Sequence, residues 1–450
     1  MRIFLVSNSA RGHAIAEALV RSPQKPEIIA ACTSNDPGMK RIAKEVHVTD
    51  IMSLSKIAAL AKAAKPDFAF IAPDDPIGAG LADRLESEGI PCVAPKKHLA
   101  RIESSKAFAR DLMKKHGIDA SPKFRVFTFT STDEQTRLEK DIRGYMDHEL
   151  HGQYVVKYDA LKGGKGVKVS GEHLLTIDDG ARYAMECVKE CGTVVIEEKL
   201  IGIEFSLMSF VSGTTVVDMP AVQDHKRAYT GDTGPNTGGM GTYSDANGSL
   251  PFLTDKDLAD ASAINKKVAK ALMDECGEPF KGILYGGFIA VADGVRVIEY
   301  NARFGDPESL NVLPLLESDF VKICQSIIDG SLSSNLVHFA PKATVCKYIT
   351  PKSYPDAKDE KGQKIILPER FPDNVRVYFG DVSEDANGNV LLGGSRSIGI
   401  VGIGDSIELA EKAAQAACEK VAGPVHFRAD IGTQESIQKR IDFMQKLRAK

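Results

Sequence analysis

The stretch Ile298-Glu299-Tyr300-Asn301-Ala302-Arg303-Phe304-Gly305-Asp306-Pro307-Glu308 sets charged side chains and a carboxamide at the end of an apolar strand. From Val295 to Asn301 the residues alternate with the strand period of two, so Glu299 and Asn301 share a face. A carboxylate and an amide oxygen are hard ligands. Mg²⁺ takes one or two such groups from a protein and completes its shell with water and phosphate oxygens. Arg303 adds a planar fork suited to phosphate or carboxylate. The same residues also describe a solvated turn, with Gly305-Asp306-Pro307 as turn chemistry and Glu308 opening a helix. Burying Glu299, Asp306 and Glu308 without cations would cost on the order of several kcal/mol per ion, so they are either exposed or met by positive charge.

Positive charge is available elsewhere in the sequence. Lys157 ends an apolar strand and is followed by Lys162-Gly163-Gly164-Lys165-Gly166, whose backbone amides can close around phosphate oxygens. The order G-x-x-x-x-G-K-[ST] is absent and a strand follows, so this is no Walker A loop; alone it also fits a solvated hairpin tip. The run from Ile196 to Glu204 crosses between two strands with Glu197, Glu198 and Glu204, able to offer backbone groups to an adenine edge and a carboxylate to ribose, or to stand as a charged connection. Gln223-Asp224-His225-Lys226-Arg227 and the segment 231–241 carry more weight. Five glycines in those eleven residues cost backbone entropy unless the loop is ordered for a purpose, and it exposes amides beside Lys226 and Arg227, as an anionic substrate requires.

These groups must be positioned by a chain of 450 residues, enough for about three domains. Strands 2–7, 27–33, 67–72 and 90–93 alternate with helices 13–20 and 54–65 and a helix reaching residue 88 after a turn at 73–76, which predicts a doubly wound parallel sheet. The polar turn 7–13 lacks G-x-G-x-x-G and so does not support a dinucleotide site. A second unit opens after a helix stopped by Gly117, with strands 154–157, 167–169 and 194–197, helix 178–190, and a hairpin 204–211/214–219 across Ser212-Gly213. Helix 255–276, strands 284–291 and 296–300, and helix 320–328 follow. Beyond residue 334, short strands at 344–349, 375–379, 389–392 and 398–402, closed by helix 407–421, predict a separate α+β domain. The domains expected are 1–101, 102–330 with a mobile clamping part at about 121–195, and 331–450.

A net charge of -4 and a charged fraction of 26% give no reason to invoke nucleic acid or an anionic membrane, and point to small-molecule partners. The 8 cysteines are dispersed without a CxxC pair, as expected for reduced thiols in the cytoplasm. The N-terminal apolar run is too short for a signal peptide and reads as a strand, and no run reaches membrane-spanning length.

In order and spacing, six segments together resemble the glycinamide ribonucleotide synthetase family of ATP-grasp enzymes: 105–108, Lys157 with 163–166, 197–204, 223–227, 233–241 and 299–308. The resemblance covers nearly the whole chain. It implies an N-terminal α/β domain, a central ATP-grasp fold and a small C-terminal α+β domain. It also implies ATP-dependent ligation of glycine to 5-phosphoribosylamine through a glycyl phosphate, in purine biosynthesis. By this resemblance Lys106, Lys157 and the loop Gly163, Gly164, Lys165 and Gly166 would meet ATP phosphates. Glu197, the backbone of Lys199 and Leu200, and Glu204 would grip adenosine. Glu299 and Asn301 would hold Mg²⁺ or Mn²⁺, and Arg303 would stabilise the transferring charge. Asp224 and Asp306 would orient glycine or the amine, and Lys226, Asn236, Thr237, Gly238 and Gly239 would face phosphoribosylamine. A cytoplasmic monomer or small homo-oligomer is expected, without a further catalytic domain. The family's G-N-G-x-R-E-H opening reads here Ser7-Asn8-Ser9-Ala10-Arg11-Gly12-His13, which keeps Asn, Arg and His and loses the Glu and the glycines. In the C-terminal domain, 393–396 and 427–432 carry the match.

Overall fold

The computed structural model describes residues 1–129, 134–162, 166–356 and 359–449. Five parallel strands form the N-terminal sheet in the order Glu45–Val48, Glu27–Cys32, Arg2–Ser7, Phe68–Ile71, Cys92–Val93. Arg2–Ser7, Glu27–Cys32 and Phe68–Ile71 are nearly continuous runs of buried residues, as strands covered on both faces must be. The expected turn at 73–76 is already helical: Asp74–Ala79 breaks at Gly80, which takes φ +96, and resumes as Leu81–Ser87. Residues 37–48, assigned no structure from the sequence, add the helix Pro37–Ile42 and the outer strand.

Two antiparallel sheets follow. The clamp sheet pairs Phe124–Thr128, Thr193–Glu198, Tyr154–Tyr158 and Val167–Val169, and packs the capped helix Ile177–Cys191 against a small core of its own that includes Tyr154, Val156, Ala184 and Ile196. The floor sheet orders Thr215–Asp218, Ile203–Ser212, Lys281–Val291 and Gly294–Asn301. Its last pair carries one irregularity: Gly287 opposes Glu299 and Phe288 opposes Val297, leaving Ile298 as a bulge. The bulge turns the Ile298 carbonyl away from the ladder, where Arg110 and Lys157 donate to it at 2.8 and 2.9 Å.

The C-terminal sheet is not made from C-terminal residues alone. Gln223–Asp224 and Gly241–Ser244 lie in the middle of the chain, yet they extend the sheet of Ala343–Pro351, Ile398–Gly404 and Val375–Phe379. Residues 223–244 therefore form a strap, rooted in the C-terminal sheet and looping out as the hairpin Arg227–Tyr229/Thr233–Asn236. A last helix, Gln434–Arg448, was not expected; it begins at the Thr433 cap. No helix among the described residues is long and apolar enough to cross a membrane.

Candidate active site

The bulged strand of the floor sheet ends where groups from the N-terminal domain, the clamp sheet and the C-terminal domain meet it. Glu299 lies there with Gly287 opposite, where a Cβ would come within 3.3 Å of its Cγ. Burial would raise the Glu299 carboxyl, but Lys226, Lys106, Lys157 and Arg303 overcome this and hold it below its usual value. Among the described residues no side chain or amide hydrogen-bonds its carboxylate. Asn301 follows on the same strand.

Arg303 turns back toward the N-terminal domain. Its Nη2 sits 2.8 Å from Glu103 and 3.8 Å from Asp74, while its buried Nε has no partner among the described residues. Burial opposes the cation, yet Glu103 and Asp74 outweigh it and raise its pKa. Glu103 also accepts the Ala302 amide at 2.8 Å, so one buried carboxylate fixes both the side chain and the backbone of this corner. From the N-terminal turn, Arg11 donates to the Phe304 carbonyl at 2.8 Å. The altered motif has a local explanation: a Cβ at Gly12 would lie 1.7 Å from the Ser7 Oγ, so bulk at residue 7 takes the room that a side chain at residue 12 would need. His13 points elsewhere. It accepts the Phe379 amide at 2.9 Å and stacks on the Phe379 ring, joining the first domain to the third.

Two carboxylates, Asp224 and Glu308, share the other side. Glu308 folds into the space over Gly305 and accepts the Tyr285 hydroxyl at 2.8 Å. Burial, and then Glu308, push the Asp224 carboxyl well above its ordinary value. Asp306 is the opposite case: burial is overcome by Arg396 and Arg11, and its pKa falls. Arg396 comes from the C-terminal domain and donates through Nη1 to the carbonyls of Gly238, Gly239 and Asp306 at 2.8, 3.2 and 2.7 Å. Gly239, at φ +115, leaves room for Asp224, whose Oδ1 would be 2.6 Å from a Cβ there. Thr237 ties the strap on itself, donating from N and Oγ1 to the Lys226 carbonyl and accepting the Gly239 amide. Asn236 pairs with Arg227 in the hairpin. Lys226 leads into the hairpin; burial lowers its pKa, but Glu204, Glu299, Asp224 and Glu308 together raise it. Its ammonium lies 3.7 Å from Glu204.

The residues expected to grip ATP divide into two groups. Glu197 receives Nε and Nη2 of Arg110 at 2.6 and 3.0 Å and the Lys157 ammonium at 2.8 Å, with all three side chains at most 5% exposed. Burial alone would raise its carboxyl, but Arg110 and Lys157 lower it to about 2. Both its oxygens are thus engaged, in a knot beside a slot of only about 10 Å³, and through Lys157 and Arg110 it ties the clamp sheet to the bulge. The Lys199 amide is likewise taken, by the Gln153 carbonyl at 3.0 Å. Leu200 follows it in the crossing to the floor sheet. Glu204, in contrast, lies on the wall of a cleft of about 520 Å³ that also has Gln223, Asp232, Arg440 and Phe443 on its walls, a volume suited to a small-molecule ligand. Lys106 opens the helix Lys106–Lys115 and reaches the Ala160 carbonyl at 3.3 Å, while Asp159 accepts the Ala107 amide at that helix's start. Gly166 packs against Lys162 at the foot of the glycine loop. Gly163, Gly164 and Lys165 lie outside the described residues.

Arg11, Glu103, Arg110, Tyr285 and Arg396 carried no role in the sequence reading. Only Arg396 and Arg11 sat in segments that pattern could flag. The donor chemistry at Glu299 and Asn301 fits a hard divalent ion: an ionised carboxylate free of protein donors, an amide oxygen, and cations placed for phosphates rather than for metal. Among the described residues no cluster of three or more His, Cys, Asp or Glu forms a complete protein cage, which also fits an ion that shares its shell with substrate.

Comparison with known proteins gives a consistent result. Models of the phosphoribosylglycinamide synthetase N domain, ATP-grasp (A) domain and C domain match residues 1–103, 104–309 and 344–434. The chain is 44% identical over 448 residues to a phosphoribosylamine-glycine ligase of Methanosarcina barkeri, covering 100% of both chains, and 43% identical over 450 residues to that of Methanocella arvoryzae, again covering 100% of both. A crystal structure of the phosphoribosylamine-glycine ligase of Thermotoga maritima superposes with a TM-score of 0.79 at 28% identity, over 96% of this chain and 100% of that one. The biotin carboxylase domain of a Hydrogenobacter thermophilus 2-oxoglutarate carboxylase shares the fold alone, with a TM-score of 0.69 at 16% identity over 99% of this chain and 93% of that one.

Proposed function

The chain belongs to the phosphoribosylglycinamide synthetase family, and from that premise we propose how its residues share the work of the reaction. The enzyme is an ATP-grasp ligase that joins glycine to 5-phosphoribosylamine, giving glycinamide ribonucleotide for purine biosynthesis. ATP with a divalent metal is the family's requirement. Glu299 and Asn301 hold Mg²⁺ or Mn²⁺, which when bound neutralises phosphate oxygens. The observation that carries this reading is the half-buried Glu299 carboxylate, which meets the positive charge of Lys226, Lys106, Lys157 and Arg303 and hydrogen-bonds none of them among the described residues.

The γ-phosphoryl group passes to the glycine carboxylate, and the amine of phosphoribosylamine then attacks the glycyl phosphate, releasing phosphate. Such transfer asks the protein for alignment and charge compensation more than for covalent participation. Arg303, steered by Glu103, neutralises the transferring group. Lys106, with the loop from Gly163 to Gly166, faces the phosphates. Glu204 and the backbone at Leu200 receive the adenosine. Asp306, kept ionised by Arg396, receives the glycine ammonium. Asp224, whose raised pKa moves it toward the working pH, takes the proton lost by the attacking amine. Lys226 and the strap residues Asn236 to Gly239 meet phosphoribosylamine. In the same reading the protein works in the cytoplasm as a monomer or small homo-oligomer without nucleic acid or membrane partners, as its modest net charge of -4 supports.

The test is ADP release with ATP, Mg²⁺, glycine and phosphoribosylamine generated in solution. Release that requires both glycine and the amine is expected. Turnover with another acid or amine, and none with this pair, would overturn the substrate assignment.

A further inference from the structure

Arg428 is the largest fully buried side chain among the described residues, and its guanidinium lies between Asp430 of its own loop and one turn of the strap. Its Nε and Nη2 donate to Asp430 at 3.0 and 2.6 Å. Its Nη1 donates to the Arg227 carbonyl at 2.9 Å and lies 2.8 Å from Asp232. Asp430 in turn accepts the Gly231 amide at 3.0 Å, and the second oxygen of Asp232 is held by Arg440 of the last helix at 2.9 Å. Asp232 takes φ 55, a backbone region L residues seldom occupy. Arg428 is itself braced from behind: Lys347, fully buried, donates to the Ala429 carbonyl at 2.8 Å and to Glu411 at 2.7 Å.

This is more fixation than the turn needs for its own sake. The strap is already rooted by the pairing of Gly241–Ser244 with Ala343–Pro351, and the hairpin tip from residue 229 to 235 is exposed. A solvated tip gains little by tethering to a buried cation, unless its orientation matters. What it orients is Lys226, the residue before the hairpin, whose ammonium stands by Glu204 and faces Glu299, Asp224 and Glu308. On its other side the hairpin reaches the clamp sheet's surroundings, where Arg227 ion-pairs with Glu172.

We propose that Arg428 is a positioning residue for the ligation: through Asp232 and the Arg227 carbonyl it sets the hairpin, and through the hairpin it places the Lys226 ammonium for the phosphorylated amine substrate. This rests on the functional reading above, so wild-type turnover is established first by ADP release. The variants are Arg428→Lys, Arg428→Ala and Asp232→Asn, each alone and combined with Lys226→Met. Asp232 sits on an exposed turn, so its variant keeps the fold even where Arg428→Ala does not. With melting temperature as a control, Asp232→Asn and Arg428→Lys are expected to lower kcat/KM for phosphoribosylamine by about tenfold or more, with KM for glycine changed less than about twofold. Arg428→Lys should retain more activity than Arg428→Ala. In the Lys226→Met background Asp232→Asn should add less than about a further twofold loss, because both changes remove the same interaction. Equal losses for all three substrates, or losses that multiply with Lys226→Met, would overturn the proposal.

Discussion

Glu103 and Arg303 join the N-terminal domain to the end of the bulged strand: one Glu103 oxygen lies 2.8 Å from the guanidinium and the other accepts the Ala302 amide. Glu103→Gln keeps the shape and the amide contact but removes the charge that steers Arg303. Its kcat is expected to fall by about tenfold to a hundredfold, a scale that small misplacements of a catalytic group reach. KM for ATP should change little. Steady-state kinetics at saturating Mg²⁺ measure both, and an unchanged kcat would remove Arg303 from the charge-stabilising role.

Glu299→Gln tests the metal directly. The neutral amide is a weaker ligand for a hard cation, so most turnover should be lost at limiting Mg²⁺ while circular dichroism and the melting temperature stay near wild type. Near-normal activity at limiting Mg²⁺ would rule Glu299 out as a ligand.

The Glu197 knot predicts a stability effect. Glu197→Gln leaves Arg110 and Lys157 buried without their carboxylate, a loss that typically costs about 3 to 5 kcal/mol. Urea unfolding should report a drop of that size, provided the variant folds. A variant as stable as wild type, with only ATP binding impaired, would return Glu197 to the nucleotide site.

His13 predicts acid sensitivity. Burial, with Arg41 nearby, lowers its pKa from 6.5 to about 4, and its Nδ1 must stay unprotonated to accept the Phe379 amide. Between those values the unfolded chain binds the extra proton, so stability is full above about pH 6.5 and falls as pH drops toward 4, by roughly 3 kcal/mol in all. His225, lowered to about 3 by burial and by Arg440 and Arg428, adds to the same loss. His13→Gln can accept the same bond without titrating, so its unfolding free energy should decline less steeply from pH 7 to 4.5. Identical slopes would show that His13 is not the sensitive group.

Sequence patterning reached the elements whose burial is periodic or continuous: four of the five strands of the first parallel sheet, the Ser212-Gly213 hairpin, and the strand ending at Asn301. It did not reach the last helix, where only Ser436, Ile437 and Met444 are buried and no apolar stripe marks the face. The strap was read as a glycine-rich loop because strands of two to four residues are too short to show alternation. Its place in the C-terminal sheet depends on a partner far along the chain. Glu197 shows the limit for charged groups. A carboxylate's identity is visible in sequence, but whether its lone pairs are free depends on Arg110, 87 residues away.

The membership of the strap in the C-terminal sheet also sets an order of events during synthesis. Gly241–Ser244 leaves the ribosome about a hundred residues before Ala343–Pro351, the strand it must pair with. At about 5 to 20 residues per second, that is a wait on the order of 5 to 20 seconds with one strand edge bare. Such an edge is a template for pairing with another chain. A fragment ending near residue 330 would keep that edge permanently open. A cut between the second and third domains therefore separates two strands of one sheet and leaves the Gly241–Ser244 edge without its partner.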